Sequence, residues 1–246
     1  MAPAQNSPAR IPRSAIVLSA GLGKRMRPLT DTLPKPLIDW GLDALARAGT
    51  WRAVVNVHYL PDALERHVLE RATPRVIVSD ERELLLDSAG GIVKALPALG
   101  DEPFFILNAD TFWIDGATDN LKALAAAFDP ARMDMLILTA RPDQATGHSG
   151  SIDFVMDAEG RLVRAAGASE EARKAGVIYA GAAIVDPAIF AGAAAEPHNL
   201  NLYFDRLIAA DRVFGHPLDG SWITVGTPDA IAPAEAAVAR ALGKAA

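Results

Sequence analysis

The sequence predicts an α/β fold with a doubly wound, mostly parallel sheet. Short apolar runs rich in β-branched residues alternate with helical segments along the first half of the chain. These strands are almost continuously hydrophobic, as expected where helices cover both faces of a sheet. A glycine-rich loop follows the first strand, and ligands of such sheets bind beyond the carboxyl ends of the strands.

The elements of the first half alternate regularly between strand and helix. The predicted strands are Ala15–Ala20, Ala53–His58, Arg75–Ser79, Phe104–Asn108 and Met135–Ala140. The predicted helices are Leu42–Ala48, Asp62–Glu70, Gly91–Leu96 and Leu121–Phe128. This order is typical of strands joined by helical crossovers.

The second half has a different pattern, without regular alternation of strand and helix. A turn at Asp157-Ala-Glu-Gly160 separates two short β-rich runs, which predicts a hairpin. The predicted elements are Ser151–Met156, Leu162–Arg164, Ile178–Val185, Ser221–Val225 and the alanine-rich helix Ala230–Leu242. No linker or internal repeat is apparent, so we expect this half to extend the same sheet.

Composition and charge exclude several classes of function. Half of the 246 residues are hydrophobic and 22% are charged, which is enough for a folded core. The net charge of −6 argues against general binding of nucleic acid or of an anionic membrane. Because cysteine is absent, disulfides, thiolate catalysis and zinc–thiolate sites are excluded.

Residues 1–13 and the most apolar stretch of the chain are expected to be neither a secretory signal nor a membrane span. Residues Met1 to Arg13 lack a continuous apolar region, so we expect a flexible tail and not a secretory signal. The long apolar stretch from Ala175 to Ala195 is broken by Asp186-Pro187, so we do not expect a membrane span. A cytoplasmic protein is predicted.

The glycine loop after the first strand has the composition of a phosphate-binding site. It contains Gly21 and Gly23 followed by Lys24, Arg25 and Arg27. Glycines let backbone N–H groups approach a phosphate, and cations neutralise its charge. A P-loop is excluded because no Ser or Thr follows Lys24, and a dinucleotide fingerprint is excluded because its third glycine is replaced by Met26.

The full motif resembles the signature of the sugar-1-phosphate nucleotidylyltransferase family. It reads Gly-x-Gly-x-Arg-Met-x-Pro-Leu-Thr from Gly21, followed by Pro34-Lys-Pro-Leu37, and the resemblance extends from about Ser14 to Asp229. It implies the nucleotide-diphospho-sugar transferase, Rossmann-like fold for a single domain of residues 14–246. The nucleotide half would cover about 14–140 and the sugar-side half about 141–246. The substrates would be a nucleoside triphosphate and a sugar-1-phosphate.

The resemblance also implies roles for individual residues. Arg25 and Lys35 would be catalytic, the first at the leaving phosphates and the second at the α-phosphate or sugar phosphate. The nucleotide would be held by Ala20, Gly21, Gly23, Lys24, Arg25, Asp87, Gly90, Gly91 and Asn108.

Asp110 follows the fourth predicted strand, and two interpretations are open for it. A carboxylate at that edge can hold Mg²⁺ against phosphate oxygens. Alternatively, its side chain caps a turn at Thr111–Gly116. The family resemblance implies the Mg²⁺ role.

The segment Leu84–Ile92 resembles the part of the family that recognises the base. Two glycines at the start of a helix would leave backbone N–H groups free and let a flat ring approach; an ordinary helix start is the alternative. Its string Leu-Asp-Ser-Ala-Gly-Gly is nearer to the N-acetylmuramate-1-phosphate uridylyltransferases than to the guanylyltransferases, which typically have glycine in place of Asp87. UTP and N-acetylmuramate-1-phosphate are therefore expected, with GTP and mannose-1-phosphate, or dTTP and glucose-1-phosphate, as alternatives.

Four further residues are candidates for the sugar pocket. Gly181, in Tyr179-Ala-Gly181, lies within a predicted strand, which indicates a bulge, a close ligand approach or tight packing. The other three candidates are Tyr179, Asp153 and Asn201. For Asp153 and Asn201 the alternative is a solvated or capping role.

Thr224 departs from the resembled family, which has a second Mg²⁺-binding aspartate at this place in Trp-x-Asp-Val-Gly-Thr. A hydroxyl binds Mg²⁺ more weakly than a carboxylate. Thr224 could act through water, Asp219 could substitute, or the protein could be slow or a catalytically silent nucleotide-sugar-binding subunit. A short segment that the family usually has after Leu37 is also missing.

Overall fold

The structure is a computed structural model that describes residues 10–27, 29 and 37–243. Its strands are β1 Ser14–Leu18, β2 Arg52–Val57, β3 Arg75–Asp80, β4 Phe104–Asn108, β5 Thr111–Asp115, β6 Met135–Ala140, β7 Ala145–Thr146, β8 Phe154–Met156, β9 Leu162–Arg164, β10 Gly176–Val185, β11 Val213–Pro217 and β12 Gly220–Thr224. Its helices are α1 Ile38–Ala48, α2 Pro61–Leu69, α3 Asp87–Leu99, α4 Asn120–Ala127, α5 Glu170–Arg173, α6 Asn201–Ala209 and α7 Ile231–Ala241.

The main sheet has the strand order β11-β6-β10-β4-β1-β2-β3. Strands β3, β2, β1 and β4 are parallel, and β10 is antiparallel to both of its neighbours in this order, β4 and β6. The hairpin β8–β9 joins this sheet through β10. The predicted α/β fold with a mostly parallel sheet is confirmed, and elements of the second half extend the same sheet.

Helices cover both faces of the main sheet because consecutive strand residues point to opposite sides. Ala15 and Val17 of β1 pack in one buried cluster with residues of α1, α2 and α4, whereas Ile16 belongs to the opposite cluster with residues of α3 and α6. The predicted continuous hydrophobicity of the strands therefore matches burial on two faces.

A smaller sheet of β5, β12 and β7 lies beside the main one. Strand β12 runs antiparallel to β5 and parallel to β7. Phe112 and Ile223 of this sheet pack with Ala234 and Ala237 of α7 in a third buried cluster. This small sheet brings the segment after β12 back to the carboxyl end of β4.

Residues 10–13 of the predicted tail are bonded to the body of the protein. The Arg13 carbonyl accepts hydrogen bonds from the Trp51 and Arg52 N–H groups, and Thr50 Oγ1 donates to the Pro12 carbonyl. The prediction of a flexible tail therefore does not hold for residues 10–13. Residues 1–9, for which it was also made, lie outside the described part of the chain.

Candidate functional site

The glycine loop forms a tight turn that exposes two cations. Gly23 has φ 60° and ψ 20°, a left-handed conformation that favours glycine. The residues Lys24–Met26 form a short 3-10 turn, in which the Met26 N–H donates to the Gly23 carbonyl at 2.9 Å. Lys24 and Arg25 are exposed on this turn, where solvent or a ligand can reach them.

A cavity of about 370 Å³ lies against this loop. It joins the glycine loop, the base-recognition candidate, the turn after β4 and the segment after β12. Its lining residues are Gly21, Leu22, Gly23, Lys24, Arg25, Met26, Leu85, Asp110, Val225 and Gly226. The structure thus brings the predicted phosphate-binding residues and the predicted Mg²⁺ ligand to one concave site.

The Arg25 guanidinium lies beside Gly226, just beyond β12. A Cβ atom added at Gly226 would be 3.4 Å from Arg25 Nη1, so the guanidinium approaches the backbone there closely. This contact places Arg25 at the same cavity edge as the end of β12. Lys35, the second predicted catalytic residue, lies outside the described residues.

Asp110 and Thr224 are neighbours through backbone pairing. Asp110 is half-buried in the turn between β4 and β5, and its carbonyl accepts from the Val225 N–H at 3.3 Å. Thr224 pairs with Thr111 across β5 and β12. The alternative that Asp110 caps a turn at Thr111–Gly116 was wrong, because residues 111–115 form strand β5.

Of the three alternatives for Thr224, the one in which Asp219 replaces the missing aspartate is contradicted by the structure. Gly220 pairs with Asp115 at the end of the β5–β12 ladder opposite to Thr224. At about 3.3 Å per strand residue, Asp219 lies on the order of 15 Å from Thr224. Its carboxylate instead accepts from the Thr118 N–H at 2.8 Å and fixes the loop before α4.

The chemistry of the cavity fits one Mg²⁺ ion bound mainly through substrate. Asp110 is the one carboxylate among its described lining residues, and the described chain contains no cluster of three or more His, Cys, Asp or Glu suited to a metal. Mg²⁺ commonly uses one or two protein carboxylates and completes its shell with waters and phosphate oxygens. Asp110, as a single carboxylate in the cavity, is compatible with that arrangement.

The base-recognition candidate forms the start of α3 but does not offer the free N–H groups that we expected. The Ala89 and Gly90 N–H groups both donate to the His198 carbonyl, at 3.1 and 3.3 Å. Asp87 has φ 59°, and its carboxylate accepts from Asn199 Nδ2 at 3.2 Å. Residues 196–200 therefore seal this side of the segment.

The two glycines of this segment make room for protein atoms. A Cβ atom at Gly90 would lie 2.1 Å from the Glu196 carbonyl oxygen, and one at Gly91 would lie 2.7 Å from Glu81 Oε1. Both glycines are thus required by close contacts with protein atoms, whatever ligand the segment meets. Leu85, which lines the cavity, connects the segment to the phosphate site.

Gly181 is explained by a bulge together with tight packing. The register between β10 and β6 shifts between Tyr179 and Ala183, and Gly181 has φ 81°. A Cβ atom there would lie 2.3 Å from Thr111 Oγ1 and 3.3 Å from Asn108 Cβ. Gly181 and Asn108 are therefore in contact at the carboxyl end of β4.

Asp153 and Asn201 both have partners within the protein. The Asp153 carboxylate accepts from the Tyr179 N–H at 2.9 Å, and Asn201 Oδ1 accepts from Arg164 Nη2 at 2.9 Å. Both residues are exposed. Asp153 thus lies beside Tyr179, whereas Asn201 is held by Arg164 at the start of α6.

The Tyr179 hydroxyl is buried without a hydrogen-bond partner among the described residues. Burial raises the pKa of this phenol well above its ordinary value. A buried hydroxyl without a partner lowers the free energy of unfolding. It can still form a hydrogen bond with a polar group of a ligand that comes within reach.

Sequence reasoning missed three polar residues behind the site, Ser19, Asn56 and Glu81. All three are buried at the carboxyl ends of β1, β2 and β3 or directly after them. A signal is present for two of them, because Asn56 interrupts and Ser19 ends an apolar run at the ligand-binding edge of the sheet, whereas Glu81 follows the polar pair Ser79-Asp80. Their pairing could not be seen, because the partners are 25 and 37 residues apart in the chain.

Residues 15–218 match the model of the MobA-like NTP transferase domain. The chain is 41% identical over 242 residues to the N-acetylmuramate alpha-1-phosphate uridylyltransferase of Caulobacter vibrioides, covering 94% of this chain and 98% of that relative. It is 31% identical over 229 residues to the enzyme of the same name from Neisseria meningitidis serogroup B, covering 87% and 93%.

Solved structures show the same fold. The inositol-1-phosphate CTP transferase from T. maritima superposes with a TM-score of 0.71 at 21% identity, covering 96% of this chain and 99% of that one. None of the helices among the described residues has the length and apolar character needed to span a membrane.

Proposed function

The chain is a nucleotidyltransferase of the MobA-like NTP transferase family, and from this premise we propose that it transfers uridylyl from UTP to N-acetylmuramate-1-phosphate. The products are the UDP-sugar and pyrophosphate. The observation that carries this proposal is the cavity that joins Gly21, Gly23, Arg25 and Asp110. The relative of the same length from Caulobacter vibrioides supports the choice of both substrates.

The reaction is an in-line displacement that needs no covalent enzyme intermediate. A phosphate oxygen of the sugar-1-phosphate attacks the α-phosphorus of UTP, and the bond from that phosphorus to the β-phosphate bridging oxygen breaks. Catalysis then depends on positioning and on stabilising charge. Arg25 and the backbone of Gly21 and Gly23 hold the leaving phosphates, and Ala20 and Lys24 complete this loop. Lys35 stabilises charge at the attacked phosphate.

The family generally depends on Mg²⁺, and Asp110 is the residue proposed to hold it. When bound, the ion would neutralise charge on the phosphate oxygens. Thr224 lies next to this position through the pairing of β5 with β12 and would contribute through a water molecule. Asp110→Asn is expected to lower turnover by about two orders of magnitude and to raise the Mg²⁺ concentration needed, as measured by pyrophosphate release.

Selection of the base is assigned to the start of α3. Asp87, Gly90 and Gly91 shape this segment, and Leu85 carries it to the cavity. Asn108 at the end of β4 completes the nucleotide side. The Ala89 and Gly90 N–H groups already donate to the His198 carbonyl. Contacts to the base would therefore be made by other groups of this segment.

The sugar side is proposed to consist of Asp153, Tyr179, Gly181 and Asn201 in the second half of the same domain. The unpaired Tyr179 hydroxyl supplies a specific test. Tyr179→Phe should leave the free energy of unfolding unchanged or slightly raised, because it removes an unsatisfied buried group. It should also raise the KM for the sugar phosphate. An unchanged KM would remove Tyr179 from the sugar site.

Thr224 supports one candidate function of another class, a catalytically silent nucleotide-sugar-binding subunit. The decisive experiment measures pyrophosphate release with Mg²⁺ for UTP, GTP and dTTP against N-acetylmuramate-1-phosphate, mannose-1-phosphate and glucose-1-phosphate. Release with UTP and the muramate alone is expected. Release with GTP and mannose-1-phosphate would overturn the substrates but keep the reaction. Binding of UTP without any release would favour the silent subunit.

The cytoplasmic location remains a prediction.

A further inference from the structure

Glu81 is a buried carboxylic residue directly behind the base-recognition segment. Glu81 is only 1% exposed, and each of its carboxyl oxygens accepts a hydrogen bond. Oε1 accepts from Asn56 Nδ2 at 2.8 Å, and Oε2 accepts from the Leu86 N–H at 3.0 Å. Burying such a group is costly unless its oxygens are satisfied, so both bonds are needed for this arrangement.

The second partner of Asn56 connects this group to the phosphate loop. Asn56 Oδ1 accepts from the Ser19 N–H at 2.7 Å, and Ser19 Oγ donates to the Asn56 carbonyl. Ser19 lies just before Ala20 and Gly21 in the chain. One series of side-chain hydrogen bonds therefore joins the entrance of the phosphate loop to Leu86 at the start of α3.

Gly91 and the helix start hold Glu81 in place from the other side. Leu86 is the N-cap residue of α3, so the carboxyl group lies at the positive end of that helix. Any side chain at Gly91 would collide with Oε1 and with Asn56 Nδ2, because an added Cβ atom would be 2.7 and 2.8 Å from them. The glycine is thus required by this buried network.

We infer that Glu81 is a positioning residue that, through Asn56, fixes the separation between the phosphate loop and the base-recognition segment. This inference rests on the proposed nucleotide binding but not on the identity of the sugar. A nucleoside triphosphate contacts both segments and needs their separation to be correct. Inorganic tripolyphosphate contacts the phosphate loop alone and does not.

The test compares binding of these two ligands to the full chain by calorimetry. Glutamine at position 81 offers one acceptor oxygen, so Glu81→Gln leaves either Asn56 or Leu86 unsatisfied. The Kd for UTP should rise about tenfold, as for loss of one hydrogen bond to a charged group, while the Kd for tripolyphosphate should change less than about twofold. Glu83→Gln, an exposed change of the same kind just before the base-recognition segment, is the matched control and should leave both values unchanged.

A second variant separates positioning from general damage. In the double change Asn56→Asp with Glu81→Gln, the amide at position 81 can donate to the carboxylate at position 56 and still accept from Leu86. UTP binding should return to within about threefold of the original value. Equal weakening of UTP and tripolyphosphate, or unchanged UTP binding by Glu81→Gln, would overturn the inference.

The proposed reaction can fail separately from this inference. An original chain that binds UTP but releases no pyrophosphate with any sugar phosphate refutes the reaction, while the comparison of UTP with tripolyphosphate still tests Glu81. An original chain that binds neither ligand overturns both.

Discussion

The two glycine pairs of this protein look alike in sequence and differ in structure. Gly21 and Gly23 belong to an open loop that carries exposed cations and lines a cavity. Gly90 and Gly91 are buried, and their missing side chains make room for the Glu196 carbonyl and the Glu81 carboxyl group. The first pair leaves space for a ligand, whereas the second leaves space for the protein itself.

The two glycine pairs therefore indicate different roles: the loop with Gly21 and Gly23 acts on the reacting phosphates, and the segment with Gly90 and Gly91 positions the nucleotide. The open loop can meet phosphate with cations and backbone groups, and it can therefore act on the reacting atoms. We call the base-recognition segment, Leu84–Ile92, the sealed segment, because the start of its helix is bonded to residues 198–200 and to Glu81. It provides a rigid surface. Changes in the open loop should mainly affect rate, and changes in the sealed segment should mainly affect stability and nucleotide binding.

The largest effect is expected for Arg25→Ala in the open loop. Loss of one preorganised cation at the leaving phosphates should lower kcat by about 10²–10³ with little change in the free energy of unfolding. Steady-state pyrophosphate release measures the rate, and denaturant unfolding measures stability. Arg75→Ala, an exposed change at the opposite edge of the sheet, is the control and should retain full activity.

Gly90→Ala should have the next largest effect, and it should act on stability. The added Cβ atom would lie 2.1 Å from a backbone oxygen that cannot move without residues 196–200. We expect a loss of about 3 kcal/mol in the free energy of unfolding. Gly41→Ala in helix α1 is the control: its nearest contact is the end of the Leu107 side chain at 3.3 Å, and alanine favours helix. Equal costs at both positions would contradict the sealed state of Gly90.

Thr224→Asp should strengthen the Mg²⁺ site at the open loop. A second carboxylate beside Asp110 should lower the Mg²⁺ concentration for half-maximal activity by roughly fivefold. The measurement is a Mg²⁺ titration of pyrophosphate release. Asp219→Asn, at the far end of the same ladder, should leave that midpoint unchanged while lowering stability. A shift with Asp219→Asn and none with Thr224→Asp would reverse our assignment.

The smallest effect is expected for Ser88→Ala in the sealed segment. Ser88 Oγ accepts from the Leu200 N–H at 2.9 Å, and removing it leaves that donor unpaired. The cost should be about 1 kcal/mol in the free energy of unfolding, with kcat unchanged. Ser149→Ala, in an exposed loop, should cost nothing measurable. A lower kcat with unchanged stability would place Ser88 in the chemistry.

The sequence predicted the elements whose signal is local. Strands β1 and β4 are apolar runs that end at the site, and the β8–β9 hairpin has its turn residues in the expected place. Helix α1 ends at a left-handed Gly49, whose N–H donates to Leu45 and Ala46, and this end was also predicted. In each case neighbouring residues determine the structure.

Features that depend on distant partners were missed. No sequence pattern indicates strand β5 at residues 111–115, because its pairing with β12 involves residues more than a hundred positions later. Helix α3 was expected to begin at Gly91 but begins at Asp87, where Glu81 and residues 198–200 complete its first turn. The roles of Asp219 and Gly90 likewise depend on contacts that no local pattern indicates.

The division between an open reactive loop and a sealed positioning segment is tested most directly by single-turnover kinetics. The rate of UDP-sugar formation would be measured with saturating UTP and N-acetylmuramate-1-phosphate for Arg25→Ala and Glu81→Gln. Our account predicts that Arg25→Ala lowers this rate by about 10²–10³, whereas Glu81→Gln stays within about threefold of the original chain. Equal slowing by both changes, or greater slowing by Glu81→Gln, would contradict it.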